Sequence, residues 1–252
     1  MQELAFTWAF ELGAGMLLTL GLVSQRALGP RFFLFHGLGA VGVVLLALAL
    51  SGPLPGAVRA PALGVAIAGV LFALLGGRKP WPAALALLLA GTLSFAVWVG
   101  LASLWAGRHG GGLPLFLADT VLASLLLGTV MNAMWLGHWY LVQPTLSIME
   151  LRRMAWALAV CLAARLLLGL FVLGPRLSGA GEAWLFSGPG LFVLMRALWG
   201  IAGPLVLAFL VLSTVRIRST QSATGLLYVM VLAVVTGELL SRYLALFHGI
   251  PG

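Results

Sequence analysis

The sequence predicts an all-α integral membrane protein with about eight transmembrane helices. Two observations carry this prediction: 62% of the 252 residues are hydrophobic with only 8% charged, and the mean hydropathy is +1.12. Soluble domains carry about a quarter charged residues, so this composition is typical of membrane proteins. The apolar runs are continuous rather than alternating, which favours helices over the strands of a membrane barrel.

Eight apolar runs of spanning length provide the predicted helices in chain order. Each run ends at a segment rich in glycine, proline or arginine, where a membrane helix is interrupted or leaves the bilayer. The predicted helices are Leu4–Leu28, Phe32–Leu50, Ala60–Leu75, Ala83–Ala106, Pro114–Val142, Ile148–Leu173, Leu191–Val215 and Ser222–Phe247. The connection at 174–190 is the longest and contains Trp184 and Phe186, which indicates an interfacial loop or a short surface helix. We therefore expect residues 1–252 to form a single polytopic transmembrane domain.

The positions of the basic residues predict the orientation of the helices. Loops one–two, three–four, five–six and seven–eight each carry two basic residues, and the alternate loops carry one each. The pairs are Arg26 and Arg31, Arg78 and Lys79, Arg152 and Arg153, and Arg216 and Arg218; the single residues are Arg59, Arg108 and Arg176. Because cytoplasmic loops are enriched in Lys and Arg, both termini are expected outside the cytoplasm. One lysine against thirteen arginines, with abundant Ala, Gly and Leu, favours a prokaryotic plasma membrane.

Charge and cysteine content argue against several classes of function. The net charge of +8 reflects the scarcity of acids, and the scattered basic residues form no cluster of the kind that binds nucleic acid. The single cysteine, Cys161, has no partner for an internal disulfide and cannot by itself ligate an iron–sulfur cluster. No phosphate-binding Gly–Lys motif, zinc-ligand spacing or nucleophile elbow occurs. We therefore expect a non-catalytic membrane subunit without a metal site of its own.

Ionisable side chains inside the predicted spans are the main functional candidates, because each costs about 2.5–3.5 kcal/mol at the centre of a membrane helix. One group of candidates lies in the outer half of the bilayer, and a tyrosine extends the same face of the last helix. We expect this group to form a quinone and proton site: Glu11, Asp119, Arg165, Tyr228, Glu238 and Arg242.

These outer residues allow two interpretations. Glu238 and Arg242 are four residues apart in the favourable order for an ion pair, so they would neutralise each other and attach the last helix to the bundle. Alternatively, one acid here accepts protons from a substrate oxidised near the outer surface. Glu11 and Asp119 are also candidates for snorkelling to the interface, Asp119 more so because it is close to the start of its helix.

Two histidines form a second group of candidates near the cytoplasmic ends of their helices. His36 lies five residues into the second predicted helix, and His138 lies five residues before Gln143. At about 1.5 Å per residue, both sit at a similar depth. Two histidines on separate helices at one depth are able to bind a b-type haem through its two axial positions. The alternative is an interfacial belt, since the tryptophan and tyrosine beside His138 favour that level.

Two segments in the last two predicted helices resemble a known family. RALWGIAGPL at 196–205 and GELLSRYL at 237–244 are similar to the C-terminal region of the polysulfide reductase and dimethyl sulfoxide reductase membrane-anchor superfamily. The resemblance implies eight or more helices and a quinol site near the outer surface. It also implies electron transfer to an iron–sulfur subunit that feeds a molybdenum enzyme. Glu238 and Arg242 match the helix-end motif of that family.

The expected function is that of a membrane subunit in a respiratory electron-transfer complex, binding a quinone between helices and exchanging protons with it. Its expected partners are membrane lipid and iron–sulfur, molybdenum or cytochrome subunits, and a b-haem cytochrome subunit is a variant of this class. A proton- or ion-coupled small transporter is the alternative. Intramembrane charges, abundant glycine and a kink predicted at Pro204 favour it, although the two halves show no repeat. A purely structural assembly subunit is the third possibility.

Overall fold

The structure, a computed structural model, describes residues 1–110, 112–143, 145–180, 184 and 186–252, without the side chains of 176–180. The described residues contain eight helices long and apolar enough to cross a membrane, which confirms the predicted multi-pass helical architecture. They are α1 (Gln2–Thr19, extended by a 3-10 turn at Leu20–Leu22), α2 (Gln25–Leu50), α3 (Gly56–Leu75), α4 (Pro80–His109), α5 (Leu113–Val142), α6 (Met149–Ala180), α7 (Gly188–Arg216) and α8 (Thr220–His248). The side of the membrane on which the termini lie stays a prediction.

The boundary between the first two helices differs from the prediction that helix one continues to Leu28. The chain is extended at Val23 and Ser24, and α2 begins at Gln25. The Ser24 amide donates a hydrogen bond of 2.8 Å to the Glu150 carboxylate, which holds this break in place. One turn later Gly29 has a φ of 70°, so the first turn of α2 is set at an angle to the rest.

Helix α6 also differs from the prediction, because it continues beyond the predicted end at Leu173 and ends at Ala180. The predicted long connection at 174–190 is therefore shorter than expected, and the helix continues past Gly174 and Pro175, which the sequence analysis took as its end. The loop or surface helix predicted around Trp184 falls partly on residues 181–183 and 185, which lie outside the described residues.

The eight helices form two groups of four with the same internal order. In the first group α1 packs on α2, α2 on α3, α3 on α4, and α4 returns to α1. In the second group α5, α6, α7 and α8 follow each other in the same way, and α8 returns to α5. The two groups join mainly through α1 and α5, with further contacts from α1 to α8 and from α4 to α5. Helix α1 is the most enclosed of the eight.

The contact between α1 and α5 is a seam of small and polar residues. A methyl group on Gly128 would lie 2.6 Å from the Met16 amide nitrogen, so the two backbones touch here. Asn132, one turn further along α5, donates to the Met16 carbonyl at 2.8 Å and to the Thr19 hydroxyl at 2.8 Å. Small residues that let backbones approach are the usual means by which membrane helices pack tightly.

Helix α7 changes its winding where the sequence predicts a kink. Residues Arg196–Ala202 form a π-helical segment that ends just before Pro204. Proline has no amide hydrogen to donate to the preceding turn, and its ring clashes with the carbonyl there, so the regular α-helical pattern is interrupted. Within this segment Gly200 packs against Gly237 of α8, and a methyl group on Gly200 would lie 2.8 Å from the Gly237 Cα atom. The wider turn directs Arg196 into the bundle, where it is buried.

Candidate functional site

Six ionisable side chains from five helices meet inside the second group of helices and its junction with α1. They are Glu11 of α1, Asp119 of α5, Arg165 of α6, Arg196 of α7, and Glu238 and Arg242 of α8. All six are buried, and three carboxylates face three guanidinium groups, so the formal charges balance. We call this set the ionic cluster. It unites five of the predicted site residues and contains one, Arg196, that the sequence analysis missed.

Arg165 lies at the centre of the ionic cluster and has the most complete set of partners. Its Nε donates to Glu238 Oε1 at 3.0 Å while its Nη2 contacts Glu238 Oε2, a bidentate arrangement. Its Nη1 contacts the Asp119 carboxylate and donates to the Asp119 carbonyl at 3.2 Å. Nη2 also donates to the Ser241 hydroxyl at 3.0 Å. One arginine therefore joins α5, α6 and α8.

Arg242 connects the ionic cluster to the first group of helices. Its Nη2 contacts the Asp119 carboxylate, and its Nε lies 3.3 Å from Glu11 Oε2. The guanidinium carbon lies 5.6 Å from the ring centroid of Trp105, a cation–π contact to α4. Arg242 thus bridges acids on α1 and α5.

The interpretation that Glu238 and Arg242 neutralise each other is wrong, but its second part, that both residues attach the last helix to the bundle, is confirmed. Their four-residue spacing directs both into the bundle, but there each side chain meets closer partners on other helices: Glu238 pairs with Arg165, and Arg242 pairs with Asp119. The proposed snorkelling of Asp119 and Glu11 is also wrong, because both side chains are fully buried. Each acid is held in place by an arginine from a neighbouring helix instead of reaching the interface.

Pairing within the ionic cluster is uneven. Among the described residues, neither carboxylate oxygen of Glu11 has a hydrogen-bond partner, and Nε and Nη2 of Arg196 have none either. Arg196 Nη2 lies 3.9 Å from Glu238 Oε1, which is an ion pair without a hydrogen bond. Buried polar groups are normally paired, so the Glu11 oxygens are free to accept a proton or a hydrogen bond, and the Arg196 nitrogens, like Nε and Nη1 of Arg242, are free to donate to a polar ligand.

The segment that follows α8 folds back over the ionic cluster. Gly249 has a φ of 62°, which turns the chain, and residues 250–252 are buried. The Gly252 amide donates to Asp119 Oδ1 at 2.9 Å, and the Ser241 hydroxyl donates to the Gly252 carbonyl at 3.1 Å. Backbone groups thereby complete the set of partners around Asp119 on the side of the bundle where α1 begins and α8 ends, which we call the terminal side.

A groove of about 550 Å³ opens beside the ionic cluster between α1, α7 and α8. Its apolar walls include Leu4 of α1, Met195 and Trp199 of α7, and Leu240 and Tyr243 of α8. Most binding pockets for small molecules have volumes of about 300–1,000 Å³ and predominantly apolar walls, so this groove is of suitable size and character.

The groove and the ionic cluster are adjacent in the chain as well as in space. Gly237 lines the groove and precedes Glu238, while Met195 lines it and precedes Arg196. A polar pair also reaches the groove: Trp199 Nε1 donates to the Thr236 hydroxyl at 2.9 Å. Ligands in the groove would therefore lie against apolar walls with the cluster immediately behind one of them.

Tyr228, predicted to belong to the same site, does not join the ionic cluster. Its hydroxyl instead lies 3.3 Å from His138 Nδ1. Ten residues separate Tyr228 from Glu238, which is about 15 Å along a helix and about 80° around it. Tyr228 is exposed whereas Glu238 is buried, so the two share neither a depth nor a helix face.

The two predicted haem ligands, His36 and His138, line one pocket of about 240 Å³ together with Phe35, Trp135 and Trp139. The structure therefore brings them to the same place, as their matched depth predicted.

Haem binding by these histidines stays a prediction. The hydrogen bond of His36 Nδ1 orients the ring and leaves Nε2 able to ligate a metal, and it is the small pocket volume that argues against a haem here. His36 Nδ1 is bonded to the Phe32 carbonyl at 2.6 Å, and its ring stacks on that of Phe32 at 3.9 Å between centroids. The Trp135 ring lies 4.8 Å away. Binding sites for small molecules usually have volumes of about 300 Å³ or more, so this pocket is smaller than most of them. A porphyrin needs still more space. No step is assigned to haem.

Arg196 is the functional candidate that the sequence analysis missed. It lies five residues inside the predicted seventh helix, so the rule that a charge within a membrane span is a functional candidate applies to it as it does to Arg165.

Comparison of the chain with protein families, with curated proteins and with solved structures finds no match. The chemistry of the ionic cluster and its groove is therefore the basis for assigning a function.

Proposed function

We propose that this protein is the quinone-binding membrane subunit of a respiratory electron-transfer complex. The observation that carries the proposal is the apolar groove on the outer face of the bundle, which lies against a buried cluster of carboxylates and arginines. A quinone has an isoprenoid chain that dissolves in lipid and a polar ring that gains or loses protons. A site for it needs apolar walls open to the bilayer and proton-accepting groups beside them.

The groove supplies the first requirement. Its walls come from Leu4, Met195, Leu240 and neighbouring apolar residues, so an isoprenoid chain lies there without leaving polar groups unpaired. Trp199 and Tyr243 offer aromatic faces to a flat ring.

The ionic cluster supplies the second requirement. Three carboxylates within a membrane bundle are retained at an energetic cost, and such groups commonly mark proton pathways. Oxidation of a quinol releases two protons and two electrons. In this proposal the protons pass to carboxylates of the cluster, and the electrons pass to iron–sulfur, molybdenum or cytochrome subunits bound to this chain. The protein by itself positions the quinone and is not the catalyst of the terminal reaction.

The binding claim is tested with decylubiquinone and two tryptophan variants of α8. Leu239 lines the groove, so Leu239→Trp fills it, whereas Leu232 is exposed on the same helix two turns away and outside the groove. Equilibrium dialysis of the detergent-purified protein is expected to show saturable binding that weakens at least about tenfold in Leu239→Trp. Leu232→Trp is expected to bind as the unmodified protein does. Binding that never saturates, or that falls equally in both variants, would contradict a site in the groove.

A proton- or ion-coupled transporter is the second candidate, because the two groups of four helices repeat one order of packing, as parallel repeats of transporters do. Mass spectrometry of proteins that co-purify in mild detergent separates the two functions. Iron–sulfur, molybdenum or cytochrome subunits would support the electron-transfer role. A preparation of this chain alone, from its native membrane, would favour the transporter.

A further inference from the structure

One face of α1 carries a row of polar residues that connects the terminal surface with the ionic cluster. Glu3, Thr7 and Glu11 are four residues apart in succession, and such spacing places side chains above one another on a helix, about 6 Å apart. Their burial increases along the row: Glu3 is partly exposed, and Thr7 and Glu11 are fully buried.

The outer end of the row is open to water. Glu3 forms an ion pair of 2.7 Å with Arg108 and accepts a hydrogen bond of 3.1 Å from Trp105 Nε1. Glu3 and Arg108 line a pocket of about 340 Å³ at the terminal side, together with Gln2 and the loop that precedes α3. The ring of the same Trp105 packs on Arg242, so this entrance already contacts the ionic cluster.

The middle of the row has unused hydrogen-bonding capacity. Thr7 Oγ1 is buried and has no hydrogen-bond partner among the described residues, although a helical threonine normally bonds to the carbonyl four residues earlier. One turn further, both Glu11 carboxylate oxygens also have no hydrogen-bond partner. A hydroxyl both donates and accepts, so Thr7 is able to relay a proton between the entrance and Glu11.

The inner end of the row is closed. The next position on the same face is Gly15, whose backbone touches that of α5 at Gly128. The Ser124 hydroxyl donates to the Glu11 carbonyl at 2.7 Å and completes the closure. Two backbones in contact leave no space for water between them, so along this face Glu11 is reached from the terminal side.

The neighbours of Glu11 distinguish it from the other two acids. Arg242 and Glu238 of α8, Asp119 of α5 and Arg165 of α6 all act on its charge. Asp119 and Glu238 each form a hydrogen-bonded ion pair with Arg165, whereas the Glu11 carboxylate has the Arg242 Nε at 3.3 Å and no hydrogen bond from any residue that the structure describes. Protonation of Glu11 therefore breaks no hydrogen bond, whereas a proton on Asp119 or Glu238 would disturb a hydrogen-bonded ion pair with Arg165.

We propose that Glu11 is the proton-exchanging carboxyl of the ionic cluster, and that protons reach it from the terminal side along Glu3 and Thr7. When the Glu11 carboxylate accepts a proton supplied from water at Glu3, the cluster changes from formally neutral to a charge of +1; when it releases the proton, that change reverses. The inference deepens the proposed quinone function, because it names the carboxyl and the side from which protons exchange, but proton exchange itself is measurable without quinone.

Infrared spectroscopy of the protein in lipid films tests this proposal. The C=O stretch of a protonated carboxyl group appears as such films are acidified, and its shift in D2O reports how fast the proton exchanges. Glu11→Gln is expected to remove the band of a slowly exchanging, buried carboxyl. Thr7→Val, which keeps the shape of the side chain, is expected to slow exchange of that band at least about tenfold.

Thr120→Val provides the matched control, because Thr120 is an equally buried threonine near the cluster whose hydroxyl already donates to the Phe116 carbonyl at 2.8 Å. Exchange in Thr120→Val should equal that of the unmodified protein. A band that persists in Glu11→Gln would assign the proton to another acid, and equal exchange rates in Thr7→Val and Thr120→Val would overturn the pathway. Because no quinone is present, a negative result here leaves the dialysis experiment as a separate test of the groove. Thr7→Val remains informative if Glu11→Gln fails to fold.

Discussion

The two groups of four helices share an order of packing but differ in what they bury. Within α1–α4 the interior is mostly aromatic and aliphatic, with the Phe33 ring packed edge-on against Phe72 and alanines at many contacts, and it holds a few polar side chains such as Thr19 and Ser94. Within α5–α8 the interior holds five of the six residues of the ionic cluster, and α1 contributes the sixth, Glu11. One arrangement of helices therefore supports both an apolar scaffold and a charged site. The difference indicates that the site depends on a few side chains rather than on the bundle itself.

The largest effect is expected from removing the central cation. Arg165→Leu leaves Asp119 and Glu238 facing each other without their shared partner, and loss of one member of a buried ion pair typically costs about 3–5 kcal/mol. We expect the variant to fail to accumulate or to lose its folded state at much lower temperature in detergent. Arg108→Leu is the control, because its ion pair with Glu3 is half exposed and worth about 1 kcal/mol or less. Equal stability of the two variants would contradict a structural role for the ionic cluster.

The junction between the two groups is expected to be the next most sensitive place. Gly128→Ala adds a methyl group that collides with the backbone of α1, and overpacking of this kind costs about 1–3 kcal/mol. Gly42→Ala is the matched control, since a methyl group there meets no atom within 4 Å. Thermal unfolding in detergent should show a lowered midpoint for Gly128→Ala only. A normal midpoint for both would mean that α1 and α5 are less closely packed than described.

Glu238→Gln separates the redox role from a purely structural one. The amide keeps the shape of the side chain and part of its hydrogen bonding to Arg165, so we expect the complex to assemble. Loss of this negative charge leaves the cluster with an excess of positive charge, which opposes proton uptake at Glu11. Electron transfer from quinol, measured in membranes with an artificial acceptor, is therefore expected to fall at least about tenfold. Failed assembly would favour the structural alternative, and unchanged electron transfer would count against a role for this acid.

The smallest effect is expected at the other pocket. His36→Phe replaces one ring by another of similar size among Phe32, Trp135 and Trp139, so the packing is largely retained. Decylubiquinone binding by the groove is expected to change less than about twofold. A large loss of binding would move the quinone site from the ionic cluster to the histidine pocket.

Composition and apolar run lengths were sufficient to predict the eight helices, because a membrane span is specified locally by about 20 apolar residues. The boundary at Val23 and Ser24 was not predictable in this way. It depends on a hydrogen bond from Ser24 to Glu150, which lies far away in sequence. The extent of α6 was missed for a related reason, since hydropathy reports the part of a helix in lipid and not its end.

The sequence predicted which residues belong to the ionic cluster better than it predicted which of them form ion pairs with each other. Glu11, Asp119 and Arg165 were found because a charge inside a span is costly wherever it occurs. Their ion-pair partners depend on which helices pack against each other, and no short segment of the sequence specifies that packing. Arg196 carried the same signal and was overlooked. Tyr228 was assigned to the site because its spacing from Glu238 was interpreted as one helix face, but its side chain is exposed and lies at another depth.

Photoaffinity labelling with an azido-substituted quinone tests the central claim most directly, because it compares the two regions in one experiment. The protein in lipid is illuminated with the probe, digested and mapped by mass spectrometry, with excess decylubiquinone as competitor. We predict competed labels on groove residues of α7 and α8, among them Met195, Trp199 and Tyr243. Competed labels confined to the pocket of His36 and His138, or labels that the competitor does not remove, would contradict a quinone site beside the ionic cluster.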